Sequence, residues 1–366
     1  MTTDLIPDYP RHPGEATPQW VTWALRQGGL IDDAQVVSVT ARALGAGVGF
    51  LSGIAQLSLA WDRSEPGAMS SVILKMDCDS EFFRNVGEGE LHVFEREIHF
   101  YREMAPQAPI RLTHCYHTQM DPALGHYILL FEDLTALESL DEVKGIKLDL
   151  ALIALATIAR FHAAWWENPA RTKFEWMPRL PSMICDGFHE RWPIFKKEFA
   201  NSFSAEVIAA GELVNQNIER IVQRLDRGPE TIVHSDFRGD NLLFDKSSPD
   251  GIVVLDWQLA MRGNALYDVA RLITDTVHPG DGSRPHQIAV RHWHEALCAN
   301  GVRNYSYDEA WRDYRLNLMM LLFLPVEFGD ILGELNARGK QLATMVRERF
   351  FASVLETDAL SLLPSL

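Results

Sequence analysis

The stretch His234-Ser235-Asp236-Phe237-Arg238-Gly239-Asp240-Asn241-Leu242-Leu243-Phe244-Asp245, followed after Val253-Val254-Leu255 by Asp256-Trp257-Gln258, decides how this chain is read. Residues 242–245 and 252–255 are short and apolar-rich, and Lys246 to Gly251 (KSSPDG) has the composition of a turn, so the segment predicts an antiparallel hairpin. A symmetric register opposes 245 to 252 and 241 to 256, which brings Asn241 and Asp256 out side by side at the open end. A carboxylate beside an amide oxygen is a pair of hard donors of the kind Mg²⁺ takes. Asp236 comes in on the approaching loop, with a carboxylate able to accept a proton from a hydroxyl.

Upstream, Thr17-Pro18 reads as N-cap and first helical position of a helix ending near Gly28-Gly29. Val36 to Leu44, Phe50 to Trp61 and Ser71 to Met76 read as strands. Glycines 45, 47, 49 and 53 surround the first junction, with strands on both sides, whereas a dinucleotide or phosphate-binding loop would lead into a helix. Glu88 to Met104 carries apolar residues at 91, 94, 98 and 101, a helical spacing. Two further strands, Arg111 to Gln119 and Tyr127 to Phe131, flank the turn at Asp121–Gly125. Beyond a boundary at Glu132–Ser139 the pattern turns helical: 148–167, 184–199, 205–225, 265–277, 287–300 and 306–324, with a capping box at Ser306-x-x-Glu309. The expected organisation is α+β, with residues 1–135 and 136–366 as two lobes.

The pattern His234-x-Asp236-x-x-x-x-Asn241 with Asp256-Trp257 following resembles the catalytic loop and metal segment of the kinase-like phosphotransferases, closest to the aminoglycoside phosphotransferase and choline/ecdysteroid kinase-like groups. That resemblance implies a bilobal protein-kinase-like fold with an N-terminal nucleotide lobe and a C-terminal catalytic and acceptor lobe. It implies ATP and Mg²⁺, with Asp236 as catalytic aspartate and Asn241 and Asp256 as metal ligands. Arg238 stands where a phosphate-contacting cation is found in protein kinases; a salt bridge to Asp240 is the alternative. Gly45, Gly47 and Gly49 correspond to the glycine-rich hairpin, with Ser52 in place of its third glycine.

Lys75 lies inside the apolar strand Val72-Ile73-Leu74-Lys75-Met76, where an ammonium needs a partner because its desolvation is costly. Glu95 and Glu97 both flank the inward stripe of the next helix, and the resemblance favours Glu97. Phe131, Glu132 and Leu134 resemble the hinge whose backbone meets the adenine, with GTP remaining open beside ATP. His162 is expected to be a hydrogen-bonded core histidine, and Asp268 a brace for the catalytic loop.

The composition agrees with this reading. With 34 Lys plus Arg against 50 Asp plus Glu, the net charge is −16, which argues against a nucleic-acid or anionic-membrane surface. No G-x-S-x-G, H-E-x-x-H or G-x-x-x-x-G-K-[ST] occurs. Four scattered cysteines, no signal-like N-terminus and a longest apolar run of nine residues (318–326) set the expectation of a cytoplasmic protein without a membrane span. Residues 1–135 hold 9 basic against 18 acidic residues, and 136–366 hold 25 against 32. The expected acceptor lobe is therefore only mildly acidic. It carries aromatics (Trp165, Trp166, Trp176, Phe188, Trp192, Trp311) and a few carboxylates (Asp186, Glu190, Glu327, Asp330). The expected acceptor is a neutral, partly apolar small-molecule alcohol, with a cationic aminoglycoside or choline-type substrate, or a non-catalytic nucleotide-binding homologue, as alternatives.

Overall fold

A computed structural model describes residues 10–44, 52–77, 92–180, 185–199, 201–247, 251–328 and 337–366. The chain divides into two compact units: residues up to Gln107 with Leu112–Leu137, and Ala108–Arg111 with Glu138–Leu366.

In the first unit Thr17 caps helix α1 (Pro18–Gln27), its hydroxyl accepting the Trp20 N–H at 3.1 Å, with Pro18 at the first turn. Strands β1 (Val36–Ala43), β2 (Ser52–Trp61), β3 (Ser71–Asp77), β4 (Cys115–Asp121) and β5 (His126–Glu132) form one antiparallel sheet in the order β1-β2-β3-β5-β4. Strand side chains alternate between faces, and the sheet uses both. Val72, Leu74, Met76, Ile128 and Leu130 pack with Trp20, Val21, Ala24 and Leu25 of α1. On the other face lies α2 (Val93–His99), which continues through a wider turn, Phe100–Met104. Phe94 stacks on Tyr127 (5.6 Å), and Tyr101 meets Phe131 edge-on (4.9 Å). Lys75, paired in register with Leu129, falls on this second face. The strand expected from Arg111 begins only at Cys115, and Arg111 belongs to the second unit, its carbonyl accepting the Val254 N–H.

The second unit is mainly helical: α3 (Leu148–Trp165), α4 (Cys185–Glu198), α5 (Ala205–Asp226), α6 (Leu266–Thr276), α7 (Ser283–Ala299), α8 (Tyr307–Met320) and α9 (Ala337–Glu356). The Ser306–Glu309 capping box is present at α8. Helix α3 is long and apolar enough to cross a bilayer, yet Ala154, Leu155, Ile158, Ala159 and Phe161 are buried as in a core helix. Every residue of α6 is buried, the charged Asp268, Arg271 and Asp275 included. Two small sheets complete the unit: β7 (Thr231–Val233) with β10 (Met261–Gly263), and β6 (Glu138–Ser139) with β8 (Leu242–Phe244) and β9 (Ile252–Val254).

The β8–β9 hairpin corrects the expected register by one residue. Phe244, not Asp245, faces Ile252, and Asn241 faces Leu255, whose N–H donates to the Asn241 carbonyl at 3.0 Å. The cause is the turn: Asp245 N–H reaches the Gly251 carbonyl (3.0 Å), and Gly251 takes the left-handed backbone (φ 71°) that this closure requires. Strict alternation would then send Asp256 to the face opposite Asn241. Asp256 is itself left-handed (φ 60°, ψ 67°), which ends the strand and breaks that alternation.

Candidate active site

In the first unit Lys75 Nζ lies 2.6 Å from Glu97 Oε2, with both side chains buried. Glu95 instead lies near His92 and His99 on the exposed side of α2, so the open choice between the two glutamates falls to Glu97. The hinge-like segment ends β5. Phe131 is buried against Tyr101, Glu132 Oε1 accepts the His114 N–H at 2.5 Å, and the Glu132 N–H is committed to the His114 carbonyl at 3.0 Å. Leu134 carries a turn, its carbonyl accepting the Leu137 N–H at 2.9 Å. Ser52 opens β2 opposite Asp77; Gly45, Gly47 and Gly49 lie outside the described residues.

Asp133, which no sequence motif marks, pins this segment to the sheet. Its carboxylate accepts hydrogen bonds from Ser71 Oγ (2.5 Å), Gln56 Nε2 (2.6 Å) and Thr135 Oγ1 (2.6 Å). Burial works to raise its pKa, and the bonds from Ser71, Thr135 and Gln56 outweigh it, holding the carboxyl at about 2. A carboxyl lowered on folding contributes fully above its unfolded range near 4, and the contribution is lost as pH falls towards 2. Asp133→Ala is therefore expected to cost about 1–3 kcal/mol at neutral pH, with the gap to wild type closing between pH 4 and 2 in urea-melt titrations.

In the second unit the catalytic-loop candidate is built on Asp268. Its Oδ2 accepts the His234 N–H (2.7 Å) and its Oδ1 the Ser235 N–H (2.9 Å); His162 Nε2 reaches Oδ2 at 3.1 Å. Trp293 Nε1–H donates to His162 Nδ1 (3.2 Å), so the proton of that imidazole sits on Nε2, facing Asp268. These bonds hold Ser235 in a left-handed conformation (φ 68°). His234 ties the loop to the hairpin: Nε2 donates to the Leu255 carbonyl (2.7 Å), while Nδ1 accepts the Asp236 N–H (3.2 Å). His162 is thus the hydrogen-bonded core histidine expected, and His234 connects the loop to the hairpin.

The loop delivers Asp236, Arg238 and Asn241 to one hydrogen-bonded set. Asn241 Nδ2 donates to both the Asp236 carbonyl (2.8 Å) and Oδ2 (2.9 Å). Arg238 Nε donates to the same Oδ2 at 3.0 Å, and its Nη1 donates to Glu142 and to Asp240 (3.3 Å). The guanidinium is thus held by three carboxylates, including the Asp240 of the alternative reading. Arg271 Nη2 stands 3.6 Å from Asp236 Oδ1, while its Nη1 pairs with Asp275 at 2.6 Å. Burial alone would raise the Asp236 carboxyl; Arg238 and Arg271 overcome it and hold the group at about 2. Arg338, at the start of α9, braces Asp240 (2.9 and 3.0 Å) and Asp141 (3.0 Å).

Glu142, Arg271, Asp275 and Arg338 were not singled out from sequence, although the i,i+4 spacing of Arg271 and Asp275 on a helix was a readable signal. Of the aromatics in this unit, Trp165, Phe188 and Trp192 are buried packing residues.

An antiparallel sheet carrying a buried lysine–glutamate pair, and a helical unit whose loop and hairpin present Asp236, Asn241 and Asp256, define a phosphotransferase of the protein-kinase-like class. The sequence profile of the phosphotransferase enzyme family (APH) matches residues 83–307, and the chain belongs to this family. Solved structures share the fold at low identity. An ethanolamine kinase of Plasmodium vivax has a TM-score of 0.53 at 9% identity, covering 93% of this chain and 89% of that one. A choline kinase of Cryptosporidium parvum has a TM-score of 0.55 at 12% identity, covering 89% and 90%. The GDP complex of wild-type aminoglycoside 2′-phosphotransferase-IIIa has a TM-score of 0.53 at 12% identity, covering 85% and 93%. The N-acetylmuramate/N-acetylglucosamine kinase of Neisseria meningitidis is 28% identical over 101 residues, 28% of this chain and 29% of that protein.

Proposed function

We propose that the protein transfers the γ-phosphate of Mg-ATP to a hydroxyl of a neutral small molecule. The carrying observation is the Asp236 carboxylate. Its Oδ2 is taken by Arg238 and Asn241, which leaves Oδ1, 3.6 Å from Arg271, to receive the hydrogen of an incoming hydroxyl. Held ionised by two guanidinia, Asp236 is a weak base. It orients the nucleophile and takes its proton as the bond to phosphorus forms, which suits a loose phosphoryl transition state.

Lys75, fixed by Glu97, is the candidate contact to the nucleotide phosphates. Arg238 acts by setting the charge and angle of Asp236. The residues fit Mg²⁺: the bonds of Asn241 Nδ2 to Asp236 leave its Oδ1 to ligate, and Asp256 supplies a carboxylate. Phosphate oxygens and water would complete the coordination of such an ion. When bound, that ion neutralises charge on the transferring phosphoryl group.

An acceptor without a cationic amine is favoured by the likeness to a kinase named for N-acetylmuramate and N-acetylglucosamine, whose amines are acetylated, and the mild charge of residues 136–366 suits a neutral one. Transfer to N-acetylglucosamine, glucose, kanamycin and choline, measured side by side with Mg-ATP, tests the acceptor class. Neutral compounds are expected to exceed the cations in kcat/KM by about tenfold or more; the reverse order would assign a cationic acceptor. EDTA should abolish turnover and added Mg²⁺ should restore it.

A further inference from the structure

One arm of Arg271 stands between two carboxylates and is hydrogen-bonded to neither. Its Nη2 lies 3.6 Å from Asp236 Oδ1 and 3.7 Å from Glu142 Oε1, both beyond hydrogen-bond length. The other arm is committed, Nη1 donating to both oxygens of Asp275 at 2.6 and 2.8 Å. The guanidinium lies over the Phe350 side chain, 5.5 Å from the centre of its ring. Glu142 is 1% exposed. Its Oε2 accepts from Arg238 Nη1, the same guanidinium whose Nε donates to Asp236 Oδ2. Asp236, Arg238, Glu142 and Arg271 thus close a square of alternating charge, with the two carboxylates at opposite corners. Burial leaves these charges weakly screened, so the loss of one carboxylate turns its arginine towards the other.

The segment bearing Glu142 is fastened to the catalytic loop. Leu140 and Ile146 are buried, and Ile146 rests on Gly239, where an added Cβ would come within 2.5 Å of its Cδ1. Between them the chain turns, the Gly145 N–H donating to the Glu142 carbonyl at 3.1 Å with Gly145 in the left-handed region (φ 79°). The Glu142 N–H donates to Asp240 Oδ1 at 3.3 Å. Backbone and side chain of this one residue are both tied to the loop that carries Asp236.

We propose that Glu142 is a positioning residue for phosphotransfer, its carboxylate holding Arg271 Nη2 back from Asp236 Oδ1 so that this oxygen stays open to the acceptor hydroxyl. The inference rests on the phosphotransfer reading and adds what keeps the reacting oxygen unengaged. Without the Glu142 charge the free arm of Arg271 has one carboxylate left to turn to, and a guanidinium bonded to Oδ1 competes with the hydroxyl.

The test separates charge from shape. Glu142→Gln keeps the shape and loses the charge, whereas Glu142→Asp keeps the charge and loses a methylene. Transfer from Mg-ATP to the best acceptor among N-acetylglucosamine, glucose, kanamycin and choline is followed in single turnovers, below the melting midpoint of every variant. Glu142→Gln should lower the transfer rate about tenfold or more, with the dissociation constant for Mg-ATP within about threefold of wild type. Glu142→Asp should lose less. Adding Arg271→Lys to Glu142→Gln should restore most of the lost rate, because lysine keeps a charge beside Asp275 and has no second arm to turn onto Oδ1. A role in stability alone predicts the reverse on both counts, with glutamine the milder change and the double variant the worse. Crystal structures give a readout independent of activity: in Glu142→Gln, Arg271 Nη2 should lie about 2.9 Å from Asp236 Oδ1. The proposal is overturned if Glu142→Gln transfers at the wild-type rate, if Glu142→Asp is the more impaired, if Arg271→Lys brings no recovery, or if Arg271 Nη2 stays away from Oδ1 in the Glu142→Gln crystals. Failure of the phosphotransfer reading shows separately, as a wild type that transfers to no acceptor while Arg271 still closes onto Oδ1 in Glu142→Gln.

Discussion

Asp236→Ala is expected to lower kcat by about 10³-fold while leaving the dissociation constant for Mg-ATP within about threefold of wild type. The asymmetry follows from where the carboxylate is spent. Oδ2 is engaged by Arg238 and Asn241, and Oδ1, 3.6 Å from Arg271, is the oxygen proposed to meet the acceptor hydroxyl. In the proposed mechanism, removing both oxygens takes away the group that orients and deprotonates the nucleophile. Lys75 and its 2.6 Å pair with Glu97 are untouched, and Asn241 keeps its bond to the Asp236 backbone carbonyl. Single-turnover phosphorylation with parallel nucleotide titrations separates the two quantities. Undiminished kcat in this variant removes Asp236 from its assigned role.

Asp268→Ala should be the most damaging change to stability, costing about 3–5 kcal/mol and lowering the melting temperature by about 10 °C. One fully buried carboxylate satisfies the N–H groups of His234 and Ser235 and the imidazole of His162. Alanine leaves all three donors buried without an acceptor, each at about 1–3 kcal/mol before relaxation. Ser235 would also lose what holds its left-handed backbone in place. Activity should fall with stability, because His234 connects the same loop to Leu255, the residue before Asp256. Calorimetric melting of wild type, Asp268→Ala and Asp268→Asn checks this. The asparagine variant, which retains one oxygen, should fall between them.

The fold was readable wherever local chemistry and periodicity agreed. Thr17-Pro18 capped a helix, the apolar strand around Lys75 demanded a buried counter-ion, and Ser306-x-x-Glu309 formed its capping box. Three things were out of reach. The hairpin register depended on the backbone conformation of Gly251, and a single residue in the turn moved Asn241 from Asp256 to Leu255. Helix α9 was hidden because Arg338, Gly339, Lys340, Arg347, Glu348 and Arg349 blur its apolar stripe, although Phe350, Phe351 and Val354 are buried. The charges around Asp236 come from segments far apart in the chain, Glu142, Arg271, Asp275 and Arg338, and sequence spacing carries no information about contacts made only by the fold. The loop motif named the candidate site residues, and the arginines that tertiary packing brings in hold the Asp236 carboxyl low.

The claim that this chain moves a phosphoryl group from Mg-ATP to a small-molecule hydroxyl is tested most directly by the stoichiometry of the reaction. Phosphorus NMR of the purified protein with Mg-ATP and the same acceptor panel follows nucleotide and product together. The prediction is one new phosphomonoester for each ADP formed, dependent on the acceptor and absent with Asp236→Ala. ADP released with inorganic phosphate alone, or no consumption of ATP with any alcohol in the panel, would contradict it.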